Sequence, residues 1–315
     1  MKNAVILLYI FLSLFMLSCS KDDDYNPFVI EGVSMSNYPK VDCSTSTQML
    51  QTIIACKLLG VKYEWKENML FGGFYELHIN YDDKKGSKEF FDQLKVSTTH
   101  GSFMNLIDGE ADVIVTSRGV SRDEKAYADG LGVRLEETPI ALDGFIFITN
   151  PNNPVNNLTE KQIQDIYMGN ITNWNQLGGK DILITPYIRE PNSGSQEKME
   201  TIIMKGLEMP TWEYTQLTGM AGPFGQLRSD ETGICYSVYY YNRFFVEPNL
   251  VKLLSINGIA PTQQNIRNRA YPYTTEVYTA IRADLDRNST AYKLYSLLCS
   301  GNAKNIIEDS GYVAK

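Results

Sequence analysis

Three times along this chain a cluster of small hydroxyl residues opens onto a segment of helical apolar spacing, with short apolar strands between. Asp42-Cys43-Ser44-Thr45-Ser46-Thr47 leads into Gln48–Leu59. Ser97-Thr98-Thr99-His100-Gly101-Ser102 leads into 103–107 and the turn Asp108-Gly109, and Ser193-Gly194-Ser195 into 196–204. Hydroxyl residues suit helix starts because their oxygens accept from N–H groups that have no intrahelical partner. Strands are predicted at 62–65, 74–79, 113–115 and 141–149, and the segment 182–187 leads into Arg189. A surface turn at 82–86 precedes a helix over 87–93, and Thr159 caps a helix running to Tyr167. Strands that alternate with helices set an α/β layer architecture and exclude a sandwich or a bundle.

The third cluster carries an arginine, in the run YIREPNSGSQ over 187–196. The Arg189 guanidinium is a planar fork of donors that fits a tetrahedral oxyanion or a carboxylate. Ser193, Gly194 and Ser195 follow with hydroxyls and closely approachable backbone, at a helix start whose dipole favours an anion. Three such starts could converge on one anion. Taken singly, each is as readily an ordinary helix cap, and Arg189 a pin for its loop.

The order of the surrounding words is more specific. Residues 110–118 read EADVIVTSR, residues 166–179 read IYMGNITNWNQLGG, and Gly233-Ile234-Cys235-Tyr236 follows the arginine motif. This order resembles the phosphate-binding proteins that serve bacterial phosphate ABC transporters, and it covers the whole mature chain. The resemblance implies a two-lobed periplasmic-binding-protein-like type II fold, each lobe a mainly parallel sheet flanked by helices, with the ligand cleft between. It implies a discontinuous first domain, 36–142 with 235–315, a second domain, 143–234, and hinge crossings near 141–144 and 233–237. It places Thr47, with Ser46 beside it, in the first ligand loop, Thr99 in the second, and Arg189, Ser193, Gly194 and Ser195 in the third. Ser117 joins them, with Ser44, Thr45, His100 and Arg118 as secondary candidates. The implied ligand is inorganic phosphate or a related oxyanion, with no cofactor, no metal and no catalytic residue, for a monomer that delivers it to an ABC permease.

Two positions depart from the family pattern. Cys43 stands where glycine is common, so the first loop is expected to be shaped differently. Ser117 falls where an aspartate can accept the ligand's proton, and its neighbour is Arg118. A hydroxyl beside a cation is expected to reject fully ionised anions such as sulfate only weakly.

The N-terminus addresses the chain. Lys2 and Asn3 precede an apolar run from Ala4 to Leu17 that ends in Ser18-Cys19. At about 14 residues this run is shorter than the ~20 of a spanning helix. It resembles a lipoprotein signal over 1–18, with lipid on Cys19 and an acidic tether over 19–35, and so implies a lipid-anchored outer-membrane protein on the periplasmic or the surface face. The formal charge of −8 argues against nucleic acid as partner. A small anion remains compatible, because local donors override the longer-range field. Cys43, Cys56, Cys235 and Cys299 are either paired or buried thiols. Tyr236 and Tyr239-Tyr240-Tyr241 suit packing better than a sugar platform. A hydrolase using the Ser193/Ser195 loop lacks a convincing base, with only His78 and His100 in the chain and no nucleophile elbow. A surface anion sensor, or an adhesin that keeps a receptor fold, is the other alternative.

Overall fold

The computed structural model describes residues 28–70, 72–191, 193–210 and 215–315. The expected signal peptide, Cys19 and the start of the expected tether lie outside the described residues. None of the described helices is long and apolar enough to cross a membrane.

Nine strands form the main sheet: β1 (Val41–Ser44), β2 (Lys95–Ser97), β3 (Val113–Thr116), β4 (Leu135–Thr149), β5 (Thr185–Pro186), β6 (Gly233–Val238), β7 (Lys252–Leu253), β8 (Thr274–Arg282) and β9 (Val313–Ala314). The organising element is β4, whose residues 140–149 are all buried. A strand this apolar on both faces is covered on both sides, and each fully buried Phe or Ile contributes about 1.5–3 kcal/mol. Its first part pairs with β8, and its last part with β6 and β7. One continuous strand therefore joins two packed bodies. Within this sheet, parallel pairing is confined to β1 with β2 and β3, and to β5 with β6. The sheet is mixed rather than mainly parallel, because β8 and β6 both run antiparallel to β4.

The cores divide accordingly. Ile53, Val115, Val277 and Leu294 share one cluster, while Phe147, Ile163, Trp174, Ile203 and Tyr236 share another. Leu254, Ile256, Ile266, Tyr271 and Tyr273 belong to this second cluster. Residues 252–273, expected with the first domain, therefore pack on the second, because β7 adds to the end of β4 and carries the chain past it.

Glycines permit the close packing near both expected crossings. A Cβ on Gly144 would stand 2.9 Å from the Ile266 Cδ1, and one on Gly233 would stand 2.3 Å from the Leu227 Cδ2. Neither position has room for a side chain. The first helix, α1 (Gln48–Leu59), ends at Gly60 in the left-handed region at φ 62°. The four cysteines of the described residues are free, three of them buried. The tyrosine run packs internally, with Tyr240 stacked on Tyr312 at 4.4 Å and Tyr241 on Phe245 at 4.6 Å.

Candidate functional site

The three hydroxyl clusters meet at one cavity of ≈ 650 Å³ between the two bodies. From the first come Ser44, the last residue of β1, and Thr45 and Ser46 just after it. From the second come Thr99 and His100, at the start of α2 (Thr99–Ile107), with Ser117 and Arg118 just past β3. The facing wall carries Arg189, Ser193, Gly194 and Ser195, where α3 (Gly194–Lys198) begins.

Local rules explain these placements. Thr98 rather than Thr99 caps α2, its hydroxyl accepting from the Gly101 N–H at 3.1 Å. The Thr99 hydroxyl is thereby left beside Ser117, 3.5 Å away. Ser193 caps α3 by accepting from the Gln196 N–H at 3.0 Å. The bodies nearly touch here, since a Cβ on Gly194 would stand 3.9 Å from the Ser117 Oγ.

Thr47 corrects the sequence reading. Its side chain is fully buried and absent from the cavity wall, and its hydroxyl donates to the Val115 carbonyl at 2.6 Å. A hydroxyl has one proton to give. Thr47 uses it to fasten the first loop to β3, so its side chain offers a ligand no donor.

Arg189 is built into the wall. Its backbone N–H donates to the Gln196 Oε1 and to the Tyr236 hydroxyl, both at 3.1 Å, and Gln196 and Tyr236 bond to each other. The strand pairing of Ile188–Arg189 with Gln216–Leu217 fixes the register, and Nε donates to the Leu217 carbonyl at 3.2 Å. Trp174 of the ITNW run lies in the core below, its indole N–H donating to the Thr232 carbonyl at 2.9 Å, so that motif supports the wall and does not line the cavity. The Arg189 side chain is 2 % exposed, with Nη2 3.2 Å from the Glu190 carboxylate. Among the described residues its Nη1, itself buried, has no hydrogen-bond partner. An unmet buried donor costs about 1–3 kcal/mol, more when charged.

Arg118 is differently disposed. Its two terminal nitrogens each donate to the Glu124 carboxylate at 2.9 Å, and Nε lies 3.0 Å from the Glu197 Oε1 on the facing wall. That last approach is an ion pair without hydrogen-bond alignment, since Nε has no hydrogen-bond partner. Burial disfavours the Arg118 charge, but Glu124 and Glu197 outweigh it and hold its pKa above the ordinary value. Glu124 is fully buried and also accepts the Ser121 N–H, at 2.8 Å, while the exposed His100 ring lies 3.1 Å away. These partners overcome burial and hold the Glu124 carboxyl below its usual range. Arg118, a secondary candidate in the sequence, has its charge committed to protein carboxylates.

The sequence reading missed Glu190, Glu197, Lys198 and Glu200, all of which line the cavity. The available signal was helical: Lys198 falls three residues after Ser195 and four after Gly194, on the same face. Burial raises the Glu190 carboxyl, but its own backbone N–H, Arg189 and the Gly219 N–H, the last at 3.3 Å, outweigh that and hold it below its usual range.

A two-lobed α/β molecule with a polar cleft bounded by helix starts is the architecture of a solute receptor, and comparison with known proteins agrees. Residues 79–285 match the model of the PBP superfamily domain, and the chain belongs to that superfamily. It is similar to the phosphate-binding protein PstS of Borreliella burgdorferi, 23% identical over 207 residues that make up 64% of this chain and 71% of that protein. Its likeness to PstS of Bacillus subtilis is 24% over 204 residues, 65% of either chain. Among solved structures, a putative phosphate ABC transporter substrate-binding protein from Clostridium perfringens with bound phosphate superposes with a TM-score of 0.63 at 22% identity, covering 89% of this chain and 100% of that one. An ABC-type phosphate transport receptor from Vibrio cholerae gives 0.62 at 21% identity, covering 87% and 99%. At these identities the structural likeness carries the fold.

Proposed function

We propose that the protein is an extracytoplasmic receptor that captures inorganic phosphate in the cleft and presents the closed, loaded form to an ABC permease. The observation that carries this reading is Arg189, a buried guanidinium that lines a cavity ringed by hydroxyls and whose Nη1 has no hydrogen-bond partner among the described residues. The PstS relatives support phosphate as the anion. The hydroxyls of Ser46, Thr99 and Ser117 would hold it from the first lobe, and Arg189 with the start of α3 from the second. Bridging both lobes would favour closure, turning at the crossings 141–144 and 233–237 and where β8 returns at Thr274. The site does its work by binding and closure, without covalent chemistry.

Glu190 bears on specificity. Hydrogenphosphate can donate its proton to an ionised carboxylate, whereas sulfate has none to give and is repelled. Phosphate is expected to bind about 10-fold to 100-fold more tightly than sulfate at pH 7, the range of one charge-assisted hydrogen bond. Competition calorimetry with phosphate, sulfate and a panel of sugars tests this reading. Equal affinity for the two anions removes Glu190 from the account, and saturable binding of a sugar alone removes the whole of it.

The N-terminal run supports a lipid anchor at Cys19. In cells fed a labelled fatty acid, Cys19→Ala is expected to lose the label and to leave the membrane fraction. Label and membrane retention that survive the substitution would rule the anchor out.

A further inference from the structure

The cavity wall carries three cationic side chains, Arg118, Arg189 and Lys198. Two of them face carboxylates. Arg118 has Glu124 at 2.9 Å and Glu197 at 3.0 Å, and Arg189 has Glu190 at 3.2 Å. Lys198 does not: among the described residues no carboxylate oxygen comes within the 4.0 Å of an ion pair. Its hydrogen bond is a long one across the cleft, from Nζ to the Ser117 carbonyl at 3.4 Å. An ammonium has three donors, and this contact uses one of them weakly.

Burial, with Arg118 acting through space, holds the Lys198 pKa below its ordinary value, while Asp143 and Glu197 act through space to support the ammonium. Asp143 is itself fastened on β4, its Oδ1 accepting the N–H groups of Gly144 at 2.8 Å and Tyr240 at 3.0 Å, so it is not free to move onto Lys198. The side chain also stands at a junction. It lines both the main cavity and an adjoining one of ≈ 360 Å³, whose far wall is Thr274, Thr275 and Tyr278 of β8. A flexible stem at that junction lets the ammonium turn toward an anion held at Arg189.

We propose that Lys198 is a second ligand-contacting cation of the cleft, exchanging the Ser117 carbonyl for the bound oxyanion and so fastening the ligand from the α3 side. This rests on the reading of the cleft as an oxyanion site. It adds a residue that neither the hydroxyl clusters nor the arginine motif indicated.

The test is calorimetric titration of inorganic phosphate into the wild type, Lys198→Gln, Lys198→Met and Lys198→Arg, with the melting temperature of each ligand-free protein measured alongside. Loss of one charge-assisted contact is expected to weaken phosphate binding about 10-fold to 100-fold in the Gln and Met variants, and Arg is expected to restore most of it. Gln or Met variants that fold and bind within about twofold of wild type overturn the proposal and leave the phosphate reading standing. An Arg variant as weak as Gln also overturns it, since charge at this position would then be irrelevant. If Gln fails to fold, Met and Arg carry the comparison. A wild type that binds no phosphate refutes the underlying reading, and the role of Lys198 with it.

Discussion

Arg189→Ala is expected to weaken phosphate binding by about 10-fold to 200-fold, the equivalent of about 1.5–3 kcal/mol for a charge-assisted contact. The burial of the guanidinium and its partnerless Nη1 set this magnitude. Truncation removes that donor and also frees Glu190, whose uncompensated carboxylate would then repel the anion from the same wall. Single hydroxyl losses, Thr99→Ala, Ser193→Ala or Ser195→Ala, are expected to cost less, because each removes one neutral group while the charge stays. A structural role for Arg189 gives a different pattern. It predicts a lower melting temperature for the ligand-free variant with undiminished phosphate affinity in the molecules that fold. The account here predicts that the ligand-induced rise in melting temperature largely disappears, as linkage requires.

Glu124→Ala is expected to be the most destabilising of the polar substitutions near the cleft. Removing one partner of a buried pair costs about 3–5 kcal/mol. The Arg118 side chain is 26% exposed and keeps Glu197, which reduces the expected loss to about 2–3 kcal/mol, or a fall of roughly 5–10 °C in melting temperature. The pH dependence has a definite sign. The Glu124 carboxyl is held below its ordinary value of 4.5, so its contribution is fully present above that value and is lost as pH falls through the folded-state pKa. Wild type and variant should differ most at neutral pH and converge in acid below pH 4.5. Thermal melts at pH 7 and pH 3.5 measure this. A gap that is absent at pH 7, or that widens in acid, contradicts the assignment of Glu124 as the buried counter-charge of Arg118.

Much of the frame was legible in the sequence because its signals are local. Helix starts announce themselves through hydroxyl caps, and the Thr159 and Ser193 assignments follow from that chemistry, whereas α1 follows its hydroxyl cluster without a side-chain cap. The apolar run ending at Thr149 could only be a strand buried on both faces. What local signals do not carry is pairing. Nothing in the run 252–273 tells which end of β4 it joins, and so its place with the second core was missed. The same distinction holds in the site. Arg189, Ser193 and Ser195 share one motif and could be read together. Thr47 looks like its neighbours in sequence, yet whether its hydroxyl faces the cavity or the Val115 carbonyl depends on a strand 68 residues away. Arg118 likewise reads as a free cation until Glu124 arrives from the next helix and Glu197 from across the cleft. Lys198 and Glu190 were overlooked because charged residues on a helix or beside an arginine are usually solvated.

One oxyanion held between the lobes against Arg189 would be visible in a crystal structure of the protein grown with inorganic phosphate. Tetrahedral density is expected within hydrogen-bond distance of the Arg189 guanidinium and of at least one hydroxyl of the facing wall, among Ser46, Thr99 and Ser117. Phosphate bound elsewhere on the molecule, or an empty cleft in crystals saturated with phosphate, would contradict it.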